Sequence, residues 1–395
     1  MRSFLIGLCA VFAALVPATH ARAADPVRIG MITTLSGGGS SLGIDVRDGF
    51  MLAVEQGNGS LGGVPVDVLI EDDARKVGRS VQIARRMLQR EHAQIVTGII
   101  WSNLALATVP RVLKTGAFYI SPNAGPSQFA GADCHENYFN VAWQNDNLHE
   151  AMGEYVSDQG HETAYLLAPN YPAGKDALTG FKRFYDGEIV GEVYTKLGQL
   201  DYAAELAALR EADPDAVYFF LPGGMGIKFL KQYQQAGLKD SIPLFGPAFS
   251  FDEGILSATG DAALGVANTS QWSIDLDNAA NRQFVEAFRA KYERRPSLYA
   301  SQGYDAARLI GDALAQVDGD VGQADAFRDA LEAARFESVR GTFRFNNNHH
   351  PIQDIYVREV YKTADGTLSN RVIGKAFEDH ADAYAEQCPM PLEDS

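Results

Sequence analysis

The chain has 395 residues, of which 46% are hydrophobic and 21% are charged, so it can bury a large core and its length predicts more than one domain. Its formal net charge is −16, and the absence of a basic stripe argues against binding to nucleic acid or to an anionic membrane surface. No internal run approaches the ~20 apolar residues that a membrane-spanning helix needs.

Residues 1–23 have the pattern of an export signal. Arg2 supplies a positive start, residues 4–16 are apolar, and Ala21-Arg22-Ala23 is a cleavage site of the A-x-A type. We therefore expect a soluble exported protein that is cleaved near Ala23 and is not stably inserted in a membrane. Removal of the two arginines would change the formal net charge from −16 to −18.

The cysteines fit an oxidising compartment. Cys9 would leave with the signal, and the remaining even pair, Cys134 and Cys388, is expected to form one disulfide, with two separate buried thiols as the alternative. No CxxC motif or Cys/His cluster is present, so we expect neither a zinc site nor another cofactor.

From residue 27 onward, apolar strands alternate with amphipathic helices in two blocks of similar length. The predicted strands of the first block are residues 27–32, 64–70, 95–100 and 117–120, and those of the second are 164–167, 192–196, 216–221, 243–245 and 264–269. Helices at 278–292, 300–317 and 324–335 and tail strands at 341–345 and 354–361 follow. Repeated βα units predict an α/β protein with two doubly wound, mainly parallel sheets covered by helices.

Residues 97–128 contain the most informative strand ends. One buried strand stops at Trp101-Ser102-Asn103, a helix follows, and the next strand stops at Ser121-Pro122-Asn123-Ala124-Gly125. Ligands bind at the carboxyl ends of neighbouring parallel strands, and the helix presents its positive N-terminus there. This edge therefore suits a carboxylate and offers no evident means of performing chemistry on it.

Other strand ends are also rich in Ser, Asn, Gly and Tyr. The relevant loops are residues 36–43, 101–103 and 123–127 in the first block and 170–174, 222–226 and 247–251 in the second. We expect two lobes that face each other across a shared cleft, which adds Leu42 and Gly224 to the candidate ligand contacts.

Several short segments carry a family resemblance through their order and spacing. They are Ile29-Gly30, Leu35-Ser36-Gly37, Trp101-Ser102-Asn103, Ser121-Pro122-Asn123-Ala124, Asn170-Tyr171, Gly246-Pro247 and Tyr304-Asp305-Ala306-Ala307. The chain resembles the periplasmic solute-binding proteins of branched-chain amino-acid-type ABC transporters, over almost all of its length after residue 23. The resemblance implies a type I, Venus-flytrap monomer that delivers a small ligand to permease subunits.

The resemblance also implies the arrangement of the lobes. Three crossovers are expected near residues 140–144, 268–272 and 345–349. Lobe one would contain residues 24–142 plus 272–346, and lobe two residues 143–271 plus 347–395.

Individual roles follow from the same resemblance. Ser102 would hold the ligand carboxylate, Asn123, Ala124 and Gly125 would assist, and Tyr171 of lobe two would cover the ligand. The alternatives are local: Ser102 is also a common helix N-cap, and Tyr171 could be a turn residue.

One position departs from the amino-acid binders, which place a glutamate after the Gly-Pro turn to pair the ligand ammonium. Here Ala248 stands there, followed by Phe249. The aromatic residues expected near the cleft are Trp101, Tyr171, Phe249, Phe251 and Trp272. They favour an aromatic acid of the benzoate or cinnamate class, with a branched-chain or other amino acid as the alternative. The full set of candidate ligand contacts is Leu42, Trp101, Ser102, Asn103, Asn123, Ala124, Gly125, Tyr171, Gly224 and Phe249.

Three other classes of protein compete with this interpretation: a serine hydrolase, a gene regulator and a receptor. The run Gly39-Ser40-Ser41-Leu42-Gly43 fits the G-x-S-x-G pattern of a serine hydrolase, but loop residues separate the serine from the strand, so we do not expect an enzyme. A gene regulator would need a DNA-binding domain, and a receptor would need a membrane-spanning segment; the sequence indicates neither.

Trp143 and Trp272 are interpreted as structural residues near crossovers, and His349-His350 as a solvated hinge rather than a metal site.

Overall fold

The computed structural model describes residues 25–391, so the export-signal pattern at residues 1–23 and Cys9 lie outside the described residues. Within that range, no helix combines the length and apolar character required to cross a bilayer. The chain forms two α/β lobes, each built on its own sheet.

Lobe one is built on a six-stranded sheet. Its strands are β1 (Val27–Thr33), β2 (Ser60–Leu61), β3 (Val64–Asp72), β4 (Ile95–Thr97), β5 (Phe118–Ser121) and β6 (Tyr138–Asn140). Its first helices are α1 (Ser40–Gln56), α2 (Val77–Gln89), α3 (Ser102–Leu113) and α4 (Ser127–Ala130). The strand order is β2-β3-β1-β4-β5-β6, and all neighbours are parallel except β2 with β3. Ile29, Ile95 and Tyr119 are fully buried, as expected for central strands that helices cover on both faces.

Lobe two repeats this arrangement. Its helices and strands are α5 (Asn147–Asp158), β7 (Thr163–Pro169), α6 (Pro172–Phe184), β8 (Glu188–Thr195), α7 (Ala203–Ala212), β9 (Ala216–Phe219), α8 (Gly224–Gln235), β10 (Leu244–Pro247), α9 (Glu253–Thr259) and β11 (Ala267–Ser270). Strands β8-β7-β9-β10-β11 lie side by side and parallel. Both sheets therefore present carboxyl strand ends to a cleft between the lobes.

The last part of the chain contributes to both lobes. It contains α10 (Ala279–Tyr292), α11 (Leu298–Gln316), α12 (Ala324–Ala333), β12 (Arg344–Phe345), β13 (Pro351–Lys362) and β14 (Leu368–His380). Helix α11 packs on α1, whereas β13 extends the second sheet by pairing antiparallel with β11.

Strand β14 was not predicted. It pairs antiparallel with β13, with register shifts near Gln353, Ile355 and Val357, and much of its length is exposed. Its sequence lacks a sustained apolar run, so pairing with β13 determines the strand more than local preference does.

The connections between the lobes lie close together. The Asn140 N–H donates to the His349 carbonyl at 2.9 Å, and the buried Arg340 side chain donates to the Ala142 carbonyl at 3.0 Å. The Arg358 guanidinium likewise donates to the Trp272 carbonyl at 3.0 Å. The predicted solvated hinge at His349-His350 is wrong, because both residues are buried and the His349 ring stacks on Phe139. The lobe boundaries at 24–142 plus 272–346 and 143–271 plus 347–395 stay a prediction.

A disulfide joins Cys134 to Cys388, with their Cα atoms 5.6 Å apart. Cys134 lies just before β6 of lobe one, whereas the tail that carries Cys388 follows β14 of the second sheet. Along this tail, the Tyr384 hydroxyl donates to Asp146 at 2.8 Å. The C-terminal segment therefore contacts both lobes.

Candidate ligand-binding site

A cavity with about 390 Å³ of space not filled by atoms lies between the carboxyl strand ends of the two lobes. Its lining residues are Leu42, Ile100, Trp101, Ser102, Asn123, Trp143, Asn145, His149, Tyr171, Ala173, Phe220, Pro222, Phe249 and Tyr299. The 390 Å³ includes space open to solvent, and the part that admits the centre of a water molecule is about 30 Å³. The closed cleft therefore has room for about two water molecules, and its walls must move apart for a larger ligand to enter.

Ser102 lies at the first turn of α3 with its hydroxyl at the cavity. It is not the N-cap: that position is Trp101, and no side chain caps the helix. The Asn145 side-chain amide donates to Ser102 Oγ at 3.1 Å, so the hydroxyl keeps its own proton for another acceptor. The backbone N–H groups of Ser102 and Asn103 also lack intrahelical acceptors, as at any helix start. This end of the cavity therefore offers hydrogen-bond donors and a positive dipole.

Trp101 forms one wall of the cavity. Its indole Nε1 donates to Thr34 Oγ1 at 3.1 Å, and Thr34 in turn donates to Asp73 at 2.6 Å, which fixes the ring orientation. The loop before α1 crosses the indole at Gly39, whose φ is +99° and where a Cβ would lie 2.5 Å from the ring. Only glycine fits there without displacement. The opposite lobe places Tyr171 with its ring centroid 6.2 Å from that of Trp101.

Aromatic rings also line the lobe-two side. Phe249 packs edge-on against Trp143 at 4.8 Å and against Phe220 at 5.3 Å, measured between ring centroids. Phe220 stacks on Tyr171 at 6.3 Å, and the His149 ring packs edge-on to Phe220 at 5.0 Å. A planar apolar group between the lobes would therefore be surrounded by rings.

His149 is a buried, neutral donor candidate at this wall. Burial lowers its pKa to about 3, and its Nδ1 is hydrogen-bonded to the Tyr218 hydroxyl. Burial also raises the pKa of Tyr218 well above its usual value, so the phenol keeps a proton to donate. The pair favours Nδ1 as acceptor and Nε2 as the protonated nitrogen.

A polar chain crosses the cleft beside the cavity. The Ser127 hydroxyl of lobe one donates to Asp176 of lobe two at 2.9 Å, and the Asn145 amide donates to Asp176 at 2.9 Å and to Ser102. Burial is the largest cause of the raised pKa of Asp176, while these hydrogen bonds favour its charged form. The lobes are in contact, so the cleft is closed.

Six of the ten predicted contacts line the cavity, and four do not. The cavity lining does not include Asn103, Ala124, Gly125 or Gly224. The structure therefore does not place these four candidates at the cavity. The Gly125 N–H donates to Asn145 Oδ1 at 3.1 Å and is therefore already engaged in a hydrogen bond. The Ala124 carbonyl likewise accepts from Ser121, Tyr138 and Asn140.

Two further aromatic candidates have structural roles instead. Phe251 packs edge-on to Phe219 at 5.6 Å, and Trp272 donates its indole N–H to Asn281 at 2.8 Å. Trp143, interpreted as structural, does line the cavity.

Sequence reasoning did not propose several lining residues as ligand contacts: Ile100, Asn145, His149, Ala173, Phe220, Pro222 and Tyr299. Most of these lie within or beside loops that had been marked at strand ends or crossovers, so that signal could have found them. Tyr299, at the start of α11, had none, because only packing of α11 against lobe one brings it to the cavity.

No Asp, Glu, Lys or Arg lines the cavity. Within residues 25–391, no cluster of three His, Cys, Asp or Glu side chains is arranged to hold a metal ion. Ser41 of the hydrolase-like run is exposed and lies inside α1 rather than in a turn directly after a strand. The cavity therefore offers shape, aromatic surface and neutral hydrogen-bonding groups.

Comparison with known proteins gives a consistent result. The family described as "Periplasmic binding protein" matches residues 26–366. The Leu/Ile/Val-binding protein homolog 6 of Brucella melitensis biotype 1 is 27% identical, over 97% of this chain and 98% of that protein.

Two solved structures of solute-binding proteins are also similar to this chain. A solute-binding protein of an ABC transporter from R. palustris, in complex with benzoate, is 31% identical with a TM-score of 0.87, covering 93% of this chain and 100% of that one. A second, from Rhodopseudomonas palustris BisB5 in complex with 3,4-dihydroxy benzoic acid, is 29% identical with a TM-score of 0.83, covering 91% and 99%.

Proposed function

Because this chain belongs to the periplasmic binding protein family and has its type I fold, we propose that it binds an aromatic carboxylic acid of the benzoate or cinnamate class. The chain is a solute-binding protein of an ABC transporter. The proposal adds the ligand class, export to the periplasm with cleavage near Ala23, and monomeric delivery of the ligand to permease subunits.

One observation carries the ligand class: aromatic rings from both lobes surround a cavity whose lining contains no carboxylate. An amino acid would bring an ammonium group into this space, and a buried cation without an acidic partner costs several kcal/mol. Ala248, at the position where amino-acid binders place a glutamate, is fully buried and supplies no charge. An aromatic acid needs only ring contacts and donors to its carboxylate.

The geometry supports one binding mode. The carboxylate accepts from the Ser102 hydroxyl and the first-turn amides of α3, where the helix dipole favours negative charge. The ring lies between Trp101 and Tyr171 on one side and Phe249 on the other. His149, in the first turn of α5, lines the same cavity and can donate from Nε2 to a ring substituent.

Binding then couples to closure. The ligand first docks on lobe one, and lobe two covers it with Tyr171 and the Phe249 loop. The ligand stabilises the closed form by its higher affinity for that form, and the closed protein is the species presented to the permease.

A second candidate ligand is a branched-chain or other amino acid. The name of the Brucella relative favours it, and so does Asn123. The Asn123 amide donates to the Ile100 carbonyl at 2.7 Å, but its buried Oδ1 has no hydrogen-bond partner within the described residues. A ligand ammonium could donate to that oxygen, although a neutral amide compensates less than a carboxylate would.

A thermal-shift screen of refolded, ligand-stripped protein tests the proposal. Benzoate, 4-hydroxybenzoate and cinnamate are compared with leucine and with short dicarboxylates. A ligand at 100 times its Kd stabilises the native state by about 2.7 kcal/mol, so aromatic acids should raise Tm clearly. Stabilisation by leucine and by no aromatic acid would overturn the proposed ligand class.

A separate assay tests the absence of catalysis. The same preparation is incubated with an aromatic ester, and Ser41→Ala is assayed beside it. No turnover is expected; turnover abolished by the substitution would support the hydrolase instead.

A further inference from the structure

The Arg75 side chain of lobe one lies beside Trp101, which forms a wall of the cavity, but Arg75 is not itself one of the lining residues. Arg75 lies in the loop between β3 and α2, with a φ of +56°, and its N–H donates to Asp73 Oδ1 at 2.7 Å. Its guanidinium carbon is 5.4 Å from the centroid of the Trp101 ring, the same ring that forms a cavity wall. A cation over an aromatic face is attracted by the ring quadrupole.

The guanidinium also reaches the other lobe. A Cβ on Gly198, in the loop after β8 of lobe two, would lie 3.2 Å from Arg75 Nη2, whereas one on Gly38 of lobe one would lie 3.8 Å from Nη1. Arg75 therefore lies between loops of the two lobes. This arrangement exists only when the cleft is closed, because Gly38 and Gly198 belong to different lobes.

Among residues 25–391, no acidic side chain forms an ion pair with Arg75. Within the part of the chain that the structure describes, it forms none of the ion pairs that engage Arg183, Arg294 or Arg340. Its charge nevertheless reaches a cavity residue: burial and the Asp176 carboxylate raise the pKa of Tyr171, and the Arg75 charge opposes both. A cation that lacks a counter-ion beside a cavity suits an anionic ligand.

We propose that Arg75, at the mouth of the cavity between the lobes, supplies the positive charge that attracts the ligand carboxylate to the open cleft and helps Ser102 to retain it after closure. This inference rests on the proposed aromatic-acid function. The cavity lining itself contains no cation, so the Arg75 guanidinium is the positive group that a bound anion would meet at the mouth. In an acidic protein, such a local positive charge increases the association rate of an anion in a salt-dependent way.

The test compares Arg75→Gln with Arg79→Gln. Arg79 is exposed near the start of α2 and lines no part of the cavity, so its substitution removes the same charge from the same region. Association and dissociation are followed by stopped-flow tryptophan fluorescence, using whichever of benzoate, 4-hydroxybenzoate and cinnamate stabilises the wild-type protein most. Unliganded Tm values for all variants establish that each is folded.

Arg75→Gln is expected to weaken binding about tenfold, with slower association at low salt and a smaller dependence on salt than the wild type or Arg79→Gln shows. Arg75→Lys, which keeps the charge and loses the planar contact with Trp101, should restore most of the association rate. Equal kinetics for Arg75→Gln and Arg79→Gln, or a loss that salt leaves unchanged, would overturn the inference while leaving the proposed function intact. If none of the three acids stabilises the wild type, the proposed function fails, and the inference fails with it.

Discussion

The hydroxyl of Ser102 is oriented by a neighbouring amide rather than by its own helix. A serine at the start of a helix usually accepts a backbone N–H, which would use its oxygen locally. Here Asn145 from the crossover into lobe two donates to that oxygen instead. Closure of the lobes therefore leaves the Ser102 proton available toward the cavity, and the orientation of this hydroxyl depends on a residue 43 positions away in the chain.

Ser102→Ala should weaken binding of the best aromatic acid by about tenfold or more. Removing one hydrogen bond to a charged group costs roughly 1.5–3 kcal/mol, and 1.4 kcal/mol is a factor of ten. Isothermal titration calorimetry measures the change, with Ser41→Ala as the control at an exposed serine. Unchanged affinity for Ser102→Ala would remove Ser102 from the site.

Helices α1 and α11 approach each other through glycine on both sides. A Cβ on Gly49 would lie 1.9 Å from the Ala300 carbonyl oxygen, and one on Gly303 would lie 2.0 Å from the Val46 carbonyl oxygen. This close contact positions the start of α11, where Tyr299 enters the cavity. Helix packing thus supplies a cavity-lining residue that no local pattern indicates.

Gly49→Ala should destabilise the protein by about 1–3 kcal/mol, because overpacking outweighs the gain of up to about 1 kcal/mol in helix propensity. Chemical denaturation measures the free energy of unfolding. Gly78→Ala is the matched control: Gly78 also lies in a helix, α2, but a Cβ there meets nothing within 4 Å. A neutral Gly49→Ala would show that the two helices can separate without cost.

Across the whole molecule, the two lobes bring carboxyl groups together beside the cleft. A Cβ on Gly254 would lie 3.2 Å from both Asp45 Oδ2, on α1 of lobe one, and Asp252 Oδ1, before α9 of lobe two. Arg294 pairs with Asp45 at 2.7 Å, and the Leu298 N–H donates to Asp252 at 2.7 Å.

The acids next to this pair act on it as well. Burial raises the pKa of Asp45 to about 6 and that of Asp252 to about 7, and Asp48 and Glu253 add repulsion. Tyr299 is close enough for Asp252 to raise its pKa further. The native state therefore holds protons on this pair that the unfolded chain has already released.

Native stability should consequently fall as pH rises through this window. Between the ordinary pKa near 3.8 and the raised values of about 6 and 7, the native state binds more protons than the unfolded state, so the slope is negative. The free energy of unfolding of the wild type should fall between pH 5 and pH 8. In Asp252→Asn this fall should be smaller by about 1–2 kcal/mol. Urea denaturation at both pH values measures it.

Asp365→Asn is the control for this experiment, because Asp365 is exposed and hydrogen bonds hold its pKa at about 2. It should leave the difference between pH 5 and pH 8 unchanged. An identical pH profile for wild type and Asp252→Asn would show that Asp252 titrates normally in the native protein.

Local patterns in the sequence were enough to predict the two blocks of βα units and the position of the cleft at the strand ends. They also indicated Trp101, Ser102, Asn123, Tyr171 and Phe249 as candidate ligand contacts. These follow from periodicity and from which residues succeed a buried strand, and both are local properties of the chain. A distinctive residue at a strand end was therefore enough to indicate part of the cavity.

The folded structure was needed to show which residues line the cavity and which partners they contact. The Gly125 amide is used by Asn145, the tyrosine at 299 arrives on a distant helix, and β14 forms because β13 offers an edge. Each depends on contacts between segments far apart in the chain, where free energy comes from packing and pairing rather than from local preference. The chemistry of a strand end can be inferred residue by residue, but the partners that each residue contacts across the two lobes cannot.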